Sequence, residues 1–242
     1  MDVVILAAGY ATRLYPLTLD RPKALLPVWG HPILDHIVDR LEAIKKISSV
    51  YIVTNDFFYE NFETWSQKRK SSLKLIICND GTTINDNRLG AIRDMQFVID
   101  RYSLSEDLLV IAGDNLFEDY LGEFVRKGIL EQEALVAIYD LEEKSLAQEY
   151  GVVSLAKNGK IRALVEKSPN PPSALVATCI YFFPKRIWSM LEQYIALGEN
   201  LDAPGHFLKW LVGNDSVQSY LLEGAWYDIG SRESYESVQK KK

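Results

Sequence analysis

The sequence predicts an α/β fold in which a mainly parallel, mixed sheet carries helices on both faces. In the first half, short runs of apolar and β-branched residues alternate with segments whose apolar residues recur at helical spacing. Such alternation is typical of parallel strands joined by helices. After Tyr150 the pattern changes, because two apolar segments flank Asn158-Gly159, a strong hairpin signal. The second half is therefore predicted to add antiparallel strands.

Each element follows from its own pattern. Apolar and β-branched runs predict the strands of the first half, at residues 3–8, 50–54, 73–78, 108–112 and 134–139. Helical spacing predicts the helices between them, at residues 33–44, 59–70, 91–102 and 121–130. In the second half we predict strands at 152–156, 160–165, 174–183 and 217–222, and helices at 187–197 and 206–212. No linker or repeat interrupts this order, so we predict a single domain over residues 1–242.

Composition and charge restrict the classes of protein to which the chain can belong. Of the 242 residues, 48% are hydrophobic and 25% are charged, which is ordinary for a globular protein. The formal net charge is −6, so general binding to nucleic acid is not expected. Cys78 and Cys179 lie in apolar runs and are expected to pack as small core residues in a reducing cytosol. With neither a signal-peptide pattern nor an apolar run of about 18 residues, we expect a cytoplasmic protein without a membrane span.

An unusually long loop follows the first predicted strand. Residues 6–18 read LAAGYATRLYPLT, and the chain stays irregular until about Pro32, whereas a plain connection between a strand and a helix is short. In open α/β sheets, ligands bind beyond the carboxyl ends of the strands. The loop offers Gly9, Arg13 and Lys23, which suit phosphate groups because glycine admits a close approach and cations grip oxygens.

Charged residues also follow three other predicted strands. Asp114 and Asp228 are carboxylates at separate strand ends, and two such groups suit a hard cation such as Mg²⁺. Glu166-Lys167 follows the return strand of the predicted hairpin. We therefore expect a phosphate-binding and metal-binding site at this edge of the sheet.

These motifs resemble those of the sugar-phosphate nucleotidylyltransferases. That family carries L-A-A-G-x-G-T-R-L-x-P-L-T followed by P-K-x-L-L-P-V, and this chain carries LAAGYATRLYPLT at residues 6–18 and PKALLPV at residues 22–28. Further motifs follow in the family's order: Gly90-Ala91, Gly113-Asp114-Asn115, Tyr150-Gly151-Val152-Val153, Glu166-Lys167 and Trp226-Tyr227-Asp228-Ile229-Gly230. The chain is most similar to the glucose-1-phosphate thymidylyltransferase branch. The resemblance implies a Rossmann-like, nucleotide-diphospho-sugar transferase-like fold whose antiparallel part binds the sugar.

The resemblance implies an enzyme of NDP-sugar biosynthesis, a nucleotidyltransferase with Mg²⁺ as cofactor. It would transfer a nucleoside monophosphate from a nucleoside triphosphate, with dTTP or UTP preferred, to a sugar 1-phosphate and release pyrophosphate. Guanylyl or cytidylyl transfer to another phosphorylated acceptor, such as mannose 1-phosphate or phosphocholine, is the alternative. Whether the chain forms a homo-oligomer stays open.

Two other classes of protein fit the sequence less well. A regulatory relative without activity would lack some of the phosphate or metal residues, and this chain retains them. A glycosyltransferase would favour an Asp-x-Asp metal motif, which Gly113-Asp114-Asn115 does not form.

The resemblance also assigns roles to individual residues. The residues implied in catalysis are Arg13, Lys23, Asp114 and Lys167. Nucleotide binding falls to the first loop and two later positions: Leu6, Ala7, Ala8, Gly9, Tyr10, Ala11, Thr12, Arg13, Lys23, Asn85 and Gly90. The sugar phosphate would contact Asn115, Tyr150, Gly151, Glu166 and Lys167, and Mg²⁺ would be held by Asp114 and Asp228. Simpler explanations exist for single residues, such as a helix-entry glycine for Gly90 or a helix N-cap for Asp114.

The chain departs from the family pattern at three positions. Ala11 replaces the second glycine of the loop, which costs about 1 kcal/mol if that position requires a positive φ. Ser168 stands where proline usually follows Glu-Lys. Asn85 stands where pyrimidine-specific thymidylyltransferases tend to carry glutamine, so at this position the chain departs from the pattern that selects a pyrimidine base.

Overall fold

A nine-stranded sheet forms the centre of the structure, a computed structural model that describes residues 1–241. The strands are β1 (Asp2–Leu6), β2 (Pro27–Val28), β3 (His31–Pro32), β4 (Ser49–Thr54), β5 (Lys74–Asn79), β6 (Leu108–Ala112), β7 (Asn115–Phe117), β8 (Ala134–Asp140), β9 (Gly151–Leu155), β10 (Ile161–Glu166), β11 (Leu175–Phe183), β12 (Val217–Leu221) and β13 (Trp226–Asp228). The helices are α1 (Ile33–Glu42), α2 (Tyr59–Lys68), α3 (Ala91–Tyr102), α4 (Gly122–Glu131), α5 (Ile187–Ala196), α6 (Pro204–Asn214) and α7 (Arg232–Gln239).

The sheet combines a parallel half with an antiparallel half. β1 lies between β4 and β6, and β5 flanks β4, all in parallel. β11 is antiparallel to β6 and to β8, and β12 runs parallel to β8. The hairpin β9–β10 joins this half where Val152 pairs with Val176. The predicted α/β fold, with antiparallel strands added by the second half, is confirmed.

Helices cover both faces, as the alternation along the central strand requires. Val3 and Ile5 of β1 pack in one apolar cluster with α1, α2 and α4, whereas Val4 packs in the other with α3, α5 and α6. This period of two places successive side chains on opposite faces of a sheet that is buried on both sides. No helix among residues 1–241 combines the length and the apolar character that crossing a membrane requires.

The predicted elements are found, with small shifts at their ends. For example, α6 begins at Pro204 rather than at His206, because proline at the first helical position has a suitable φ and its nitrogen needs no hydrogen-bond partner there. The predicted loop up to Pro32 contains a two-residue hairpin, β2–β3. The pair β7–β13 was also not predicted, since strands of three residues are too short to show a period.

Ala11 adopts the left-handed conformation that its position in the motif suggested. Its φ is 49° and its ψ is 41°, immediately before a short 3₁₀ turn at Thr12–Leu14. The Thr18 hydroxyl donates to the Ala11 carbonyl at 2.9 Å and helps to hold this conformation. A residue with a Cβ pays about 1–2 kcal/mol in the left-handed region.

We therefore expect Ala11→Gly to raise the free energy of unfolding by about 0.5–1 kcal/mol, since the strain removed exceeds the added entropy of the unfolded chain. Equilibrium denaturation in urea measures this change. Ala43→Gly is the matched control, because Ala43 is exposed with a helical φ of −75°, so that glycine there should lower stability. A loss of stability in both variants would contradict the explanation.

Candidate active site

One cavity of about 640 Å³ opens at the carboxyl ends of β1 and β6. The residues for which the resemblance implied a role all line it: Leu6, Ala7, Ala8, Gly9, Tyr10, Ala11, Thr12, Arg13, Lys23, Asn85, Gly90, Asp114, Asn115, Tyr150, Gly151, Glu166, Lys167 and Asp228. They come from both halves of the sheet, because β10 lies four strands from β1 in the sheet order. The fold thus brings the scattered motifs to one place.

The ends of β1 and β6 approach closely and set the floor of the cavity. The Gly113 N–H donates to the Leu6 carbonyl at 2.8 Å, and a Cβ on Gly113 would lie 3.1 Å from that oxygen. Gly9 differs, because a Cβ there would meet no protein atom within 4 Å. The space in front of Gly9 is therefore open for a ligand to approach the backbone.

Lys23 is held against Asp114 at the centre of the cavity. Its Nζ lies 2.5 Å from Asp114 Oδ2, and the two side chains are 20% and 25% exposed. Lys23 begins a short 3₁₀ turn after Pro22, which fixes the direction in which the side chain leaves the backbone. Arg13 lies on the same loop, is exposed, and forms no ion pair with another residue of the described chain.

The small sheet β7–β13 brings Asp228 beside Asp114. Asp228 pairs with Asn115 across this sheet, and the Ile229 N–H donates to the Asp114 carbonyl at 3.2 Å. Burial, and next the charge of Asp114, raise the pKa of Asp228 to about 6, while Lys23, Arg13 and Lys167 act in the opposite direction. Two carboxyl groups and three cations therefore share one electrostatic environment.

The carboxyl pair fits a hard divalent cation, whose charge would relieve the repulsion between the two groups. Residues 1–241 contain no cluster of three or more His, Cys, Asp or Glu side chains that could hold a metal ion. An ion at Asp114 and Asp228 would therefore need further ligands from substrate and water. Mg²⁺ commonly binds in this way, through one or two carboxylates together with phosphate oxygens.

Through its side chain, Asn115 helps to hold β7 and β13, and with them Asp114 and Asp228, together. Its side chain is buried, its Oδ1 accepts the Trp226 Nε1–H at 2.7 Å, and its Nδ2 lies 3.5 Å from the Cys179 carbonyl oxygen. Both polar atoms of the amide are thus used within the protein. The contact that the structure shows for this side chain fixes β13 against β7, and its expected contact with the sugar phosphate stays a prediction.

Glycines make room for Glu166 at the far end of the cavity. Gly151 pairs with Glu166 across the hairpin, and a Cβ on Gly151 would lie 2.8 Å from Glu166 Oε2. A Cβ on Gly205, in the first turn of α6, would lie only 2.1 Å from the same oxygen. The Glu166 carboxyl group therefore lies between two glycines, where any larger residue would collide with it.

Lys167 and Tyr150 complete this end. Lys167 has a φ of 47°, and its N–H donates to the Tyr150 carbonyl at 3.0 Å. A non-glycine residue in the left-handed region is strained, and such residues concentrate at functional sites. The Tyr150 ring packs edge-on against Trp226, with 5.7 Å between centroids.

The backbone conformation and the close packing at residue 90 require a glycine. Its φ is 85°, and a Cβ there would lie 2.5 Å from the Leu201 carbonyl oxygen. The first N–H groups of α3 donate to residues 201–202, Ala91 to the Asp202 carbonyl and Ile92 to the Leu201 carbonyl, each at 3.1 Å. The helix-entry explanation of Gly90 is thus supported by this geometry, and a role towards the nucleotide stays a prediction.

Sequence reasoning missed several residues that line the cavity. Arg88 and Asp202 form an ion pair with 2.8 Å between Nε and Oδ1, although 114 positions separate them. No local pattern announces such a pair. Asp94 is buried in α3, four residues before Val98, so it falls on the apolar face. An aspartate on the apolar face of a predicted helix is unusual, and this feature of the sequence could have identified Asp94 as a candidate site residue.

The ionisation of Asp94 should make the stability of the fold depend on pH. Burial, and next the charge of Asp80, raise the pKa of Asp94 to about 8. The unfolded chain releases this proton near its ordinary value of 3.8, whereas the folded chain keeps it. The contribution of this proton to the free energy of unfolding is therefore complete below pH 3.8. It is lost as the pH rises from 3.8 towards 8.

We expect Asp94→Asn to flatten the fall in unfolding free energy between pH 5 and pH 8.5, measured by urea denaturation. Asp100→Asn is the matched control on the same helix, because Asp100 is exposed. Its pH profile should follow that of the unaltered chain. An unchanged slope in Asp94→Asn would show that Asp94 ionises normally in the folded protein.

Comparison with known proteins agrees with the geometry. A family model described as nucleotidyl transferase matches residues 2–242. The bifunctional protein GlmU of Methanocaldococcus jannaschii is 31% identical over 230 residues, which cover 95% of this chain and 51% of that protein. A Sulfolobus acidocaldarius protein, which bears the name of a mannose-1-phosphate guanyltransferase, is 30% identical over 243 residues, with coverage of 97% and 61%.

Proteins of known structure share this fold. The UTP-bound UGPase from Acinetobacter baumannii superposes with a TM-score of 0.78 at 21% identity, covering 98% of this chain and 91% of that one. The present chain spans about half the length of the curated relatives that it matches over nearly all of its own residues.

Proposed function

The chain belongs to the nucleotidyl transferase family, and we propose that it transfers a nucleoside monophosphate from dTTP or UTP to a sugar 1-phosphate, with release of pyrophosphate. The observation that supports this proposal most strongly is the composition of the cavity described above. It joins a glycine loop with two cations, Arg13 and Lys23, to a hairpin end with Glu166 and Lys167. A site for two phosphorylated substrates requires cations at both ends.

In the proposed mechanism, a phosphate oxygen of the sugar 1-phosphate attacks the α-phosphorus in line with the departing pyrophosphate. The attacking phosphate is already an anion near pH 7, so no strong general base is needed. The protein's task is to bring two polyanions together and to neutralise the charge on the equatorial oxygens. Arg13 and Lys23 would do this on the nucleotide and Lys167 on the sugar phosphate, while Glu166 would accept hydrogen bonds from sugar hydroxyls.

Asp114 and Asp228 would hold Mg²⁺, which when bound would supply positive charge next to the phosphate oxygens. Until substrates arrive, Lys23 partly neutralises Asp114 at 2.5 Å. The pairing keeps a cation beside the carboxyl pair and positions its ammonium group for the incoming phosphates.

Guanylyl transfer is the second candidate. It is favoured by the name of the Sulfolobus relative and by Asn85 in place of the glutamine that the thymidylyltransferase pattern carries. Cytidylyl transfer to phosphocholine is the remaining form of the same chemistry.

A panel of UTP, dTTP, GTP and CTP against glucose 1-phosphate, mannose 1-phosphate and phosphocholine, scored by pyrophosphate release, tests the proposal. We expect turnover with a sugar 1-phosphate and with UTP or dTTP. Turnover of GTP ten times faster than of UTP and dTTP would contradict the choice of base. Absence of pyrophosphate with every pair would contradict the activity.

Lys167→Ala should raise the KM for the sugar phosphate by about 10- to 100-fold, because a charge-assisted contact to phosphate is lost. The KM for the nucleotide should change far less. Arg162→Ala is the control, since Arg162 is an exposed cation on β10 outside the cavity. Equal effects of Lys167→Ala on both substrates would remove Lys167 from the sugar-phosphate end.

Asp114→Asn and Asp228→Asn should each lower kcat by about 10²–10⁴-fold, because asparagine keeps the shape and loses the charge that a cation needs. If the two carboxylates serve one ion, the double variant should be little worse than either single variant. Turnover of the two single variants and the double variant, measured against Mg²⁺ concentration, tests whether the two carboxylates hold one ion. Near-normal turnover in Asp228→Asn alone would show that Asp228 holds no ion.

A further inference from the structure

Asp94 is a buried carboxyl group on the cavity wall that the proposed mechanism does not use. It lies in the first turn of α3, is 5% exposed, and lines the cavity together with Gly9, Tyr10 and Asn85. A carboxyl group at this depth ordinarily pairs with a cation or accepts several hydrogen bonds. Asp94 Oδ1 is buried and accepts no hydrogen bond from residues 1–241.

The polar group that faces Asp94 is a second carboxyl group. Asp80 follows β5, and its Oδ1 accepts the N–H and the hydroxyl of Thr82, both at 2.7 Å. Its Oδ2, like Asp94 Oδ1, is buried without a donor. A proton between two such oxygens removes their repulsion, and the raised pKa of Asp94, about 8, is consistent with a proton held there. One shared proton thus satisfies both carboxyl groups.

The shared proton leaves one oxygen of Asp94 for the cavity. Oδ2 is not among the buried atoms, and within the described chain it takes part in no hydrogen bond. Because the proton is committed to Asp80, this oxygen can only accept. With the proton on Asp94, the one negative charge of the pair lies on Asp80 rather than on this oxygen.

Asn85 supplies the complementary donor on the same wall. Its side chain is exposed, and its amide forms no hydrogen bond with another described residue, while its main-chain carbonyl accepts from Arg88 Nη1 at 3.0 Å. Uracil and thymine present one ring N–H between two carbonyl oxygens, so a single acceptor beside an amide donor matches that edge. Guanine presents two neighbouring N–H donors, which suit an ionised carboxylate with both oxygens free.

We infer that Asp94 is a specificity-determining residue whose free oxygen accepts the N3–H of a uracil or thymine base, while its other oxygen shares a proton with Asp80. The inference rests on the proposed function, since it names the base that the nucleotide end of the cavity selects. Asn85 lies beside it as the donor to a base carbonyl.

The test measures binding of UTP and of N3-methyl-UTP by calorimetry at pH 7 with Mg²⁺ and without sugar phosphate. The unaltered chain should bind UTP at least ten times more tightly than the methylated analogue, because one hydrogen bond is lost. Asp94→Ala should bind UTP about tenfold more weakly and should no longer distinguish the two nucleotides. Asp100→Asn on the same helix is the control and should behave as the unaltered chain.

Asp94→Asn separates the neutral acceptor from a merely structural role. Its amide donates to Asp80 and keeps an oxygen for the base, so UTP affinity should stay within about threefold and the preference over the methylated analogue should remain. This variant carries the test if Asp94→Ala does not fold. Unchanged UTP binding in Asp94→Ala, or loss of the preference in Asp94→Asn, would overturn the inference.

The two proposals fail in different ways. Tighter binding of GTP than of UTP, with pyrophosphate released from GTP, would overturn the role of Asp94 and leave nucleotidyl transfer standing. Absence of binding by every nucleoside triphosphate would overturn both.

Discussion

The burial of Asp228 beside Asp114 is the constraint on which the rest of the cavity depends. Two carboxyl groups in a poorly solvated space repel each other, and the raised pKa of Asp228 expresses that cost. The protein holds them together with the β7–β13 pair and with the bond from Trp226 to Asn115. The cations of the cavity offset the repulsion only in part, so the site favours further positive charge.

The requirement for positive charge beside the two carboxyl groups explains why residues from both halves of the sheet line the cavity. The parallel half supplies Arg13 and Lys23, and the antiparallel half supplies Lys167. The two halves are tied together where the first N–H groups of α3 donate to the carbonyls of residues 201–202. Gly90, with no Cβ to obstruct the Leu201 carbonyl, makes that close contact geometrically available. The two ends of the cavity are thereby fixed at one separation.

The cavity treats its carboxyl groups in two different ways. Asp114 and Asp228 lie among cations, in a setting that suits ionised carboxylates and a metal ion. Asp94 has Asp80 as its charged neighbour, and the shared proton inferred above would leave Asp94 a neutral acceptor. The difference comes from the neighbours of each pair, because the chemical groups themselves are identical. Under the proposed function, such a division would let one cavity gather positive charge for phosphates and still present a neutral acceptor to a base.

The sequence by itself determined the order of the main strands and helices and the position of the long loop after β1. Hydrophobic periodicity and backbone sterics act within a few residues, so each is legible in a short segment. Only the tertiary structure decided that Arg88 meets Asp202, that Gly205 makes room for Glu166, and that Asp94 faces Asp80. These contacts join segments that are distant in the chain. They depend on strand order and on the direction of individual side chains, which local patterns do not encode.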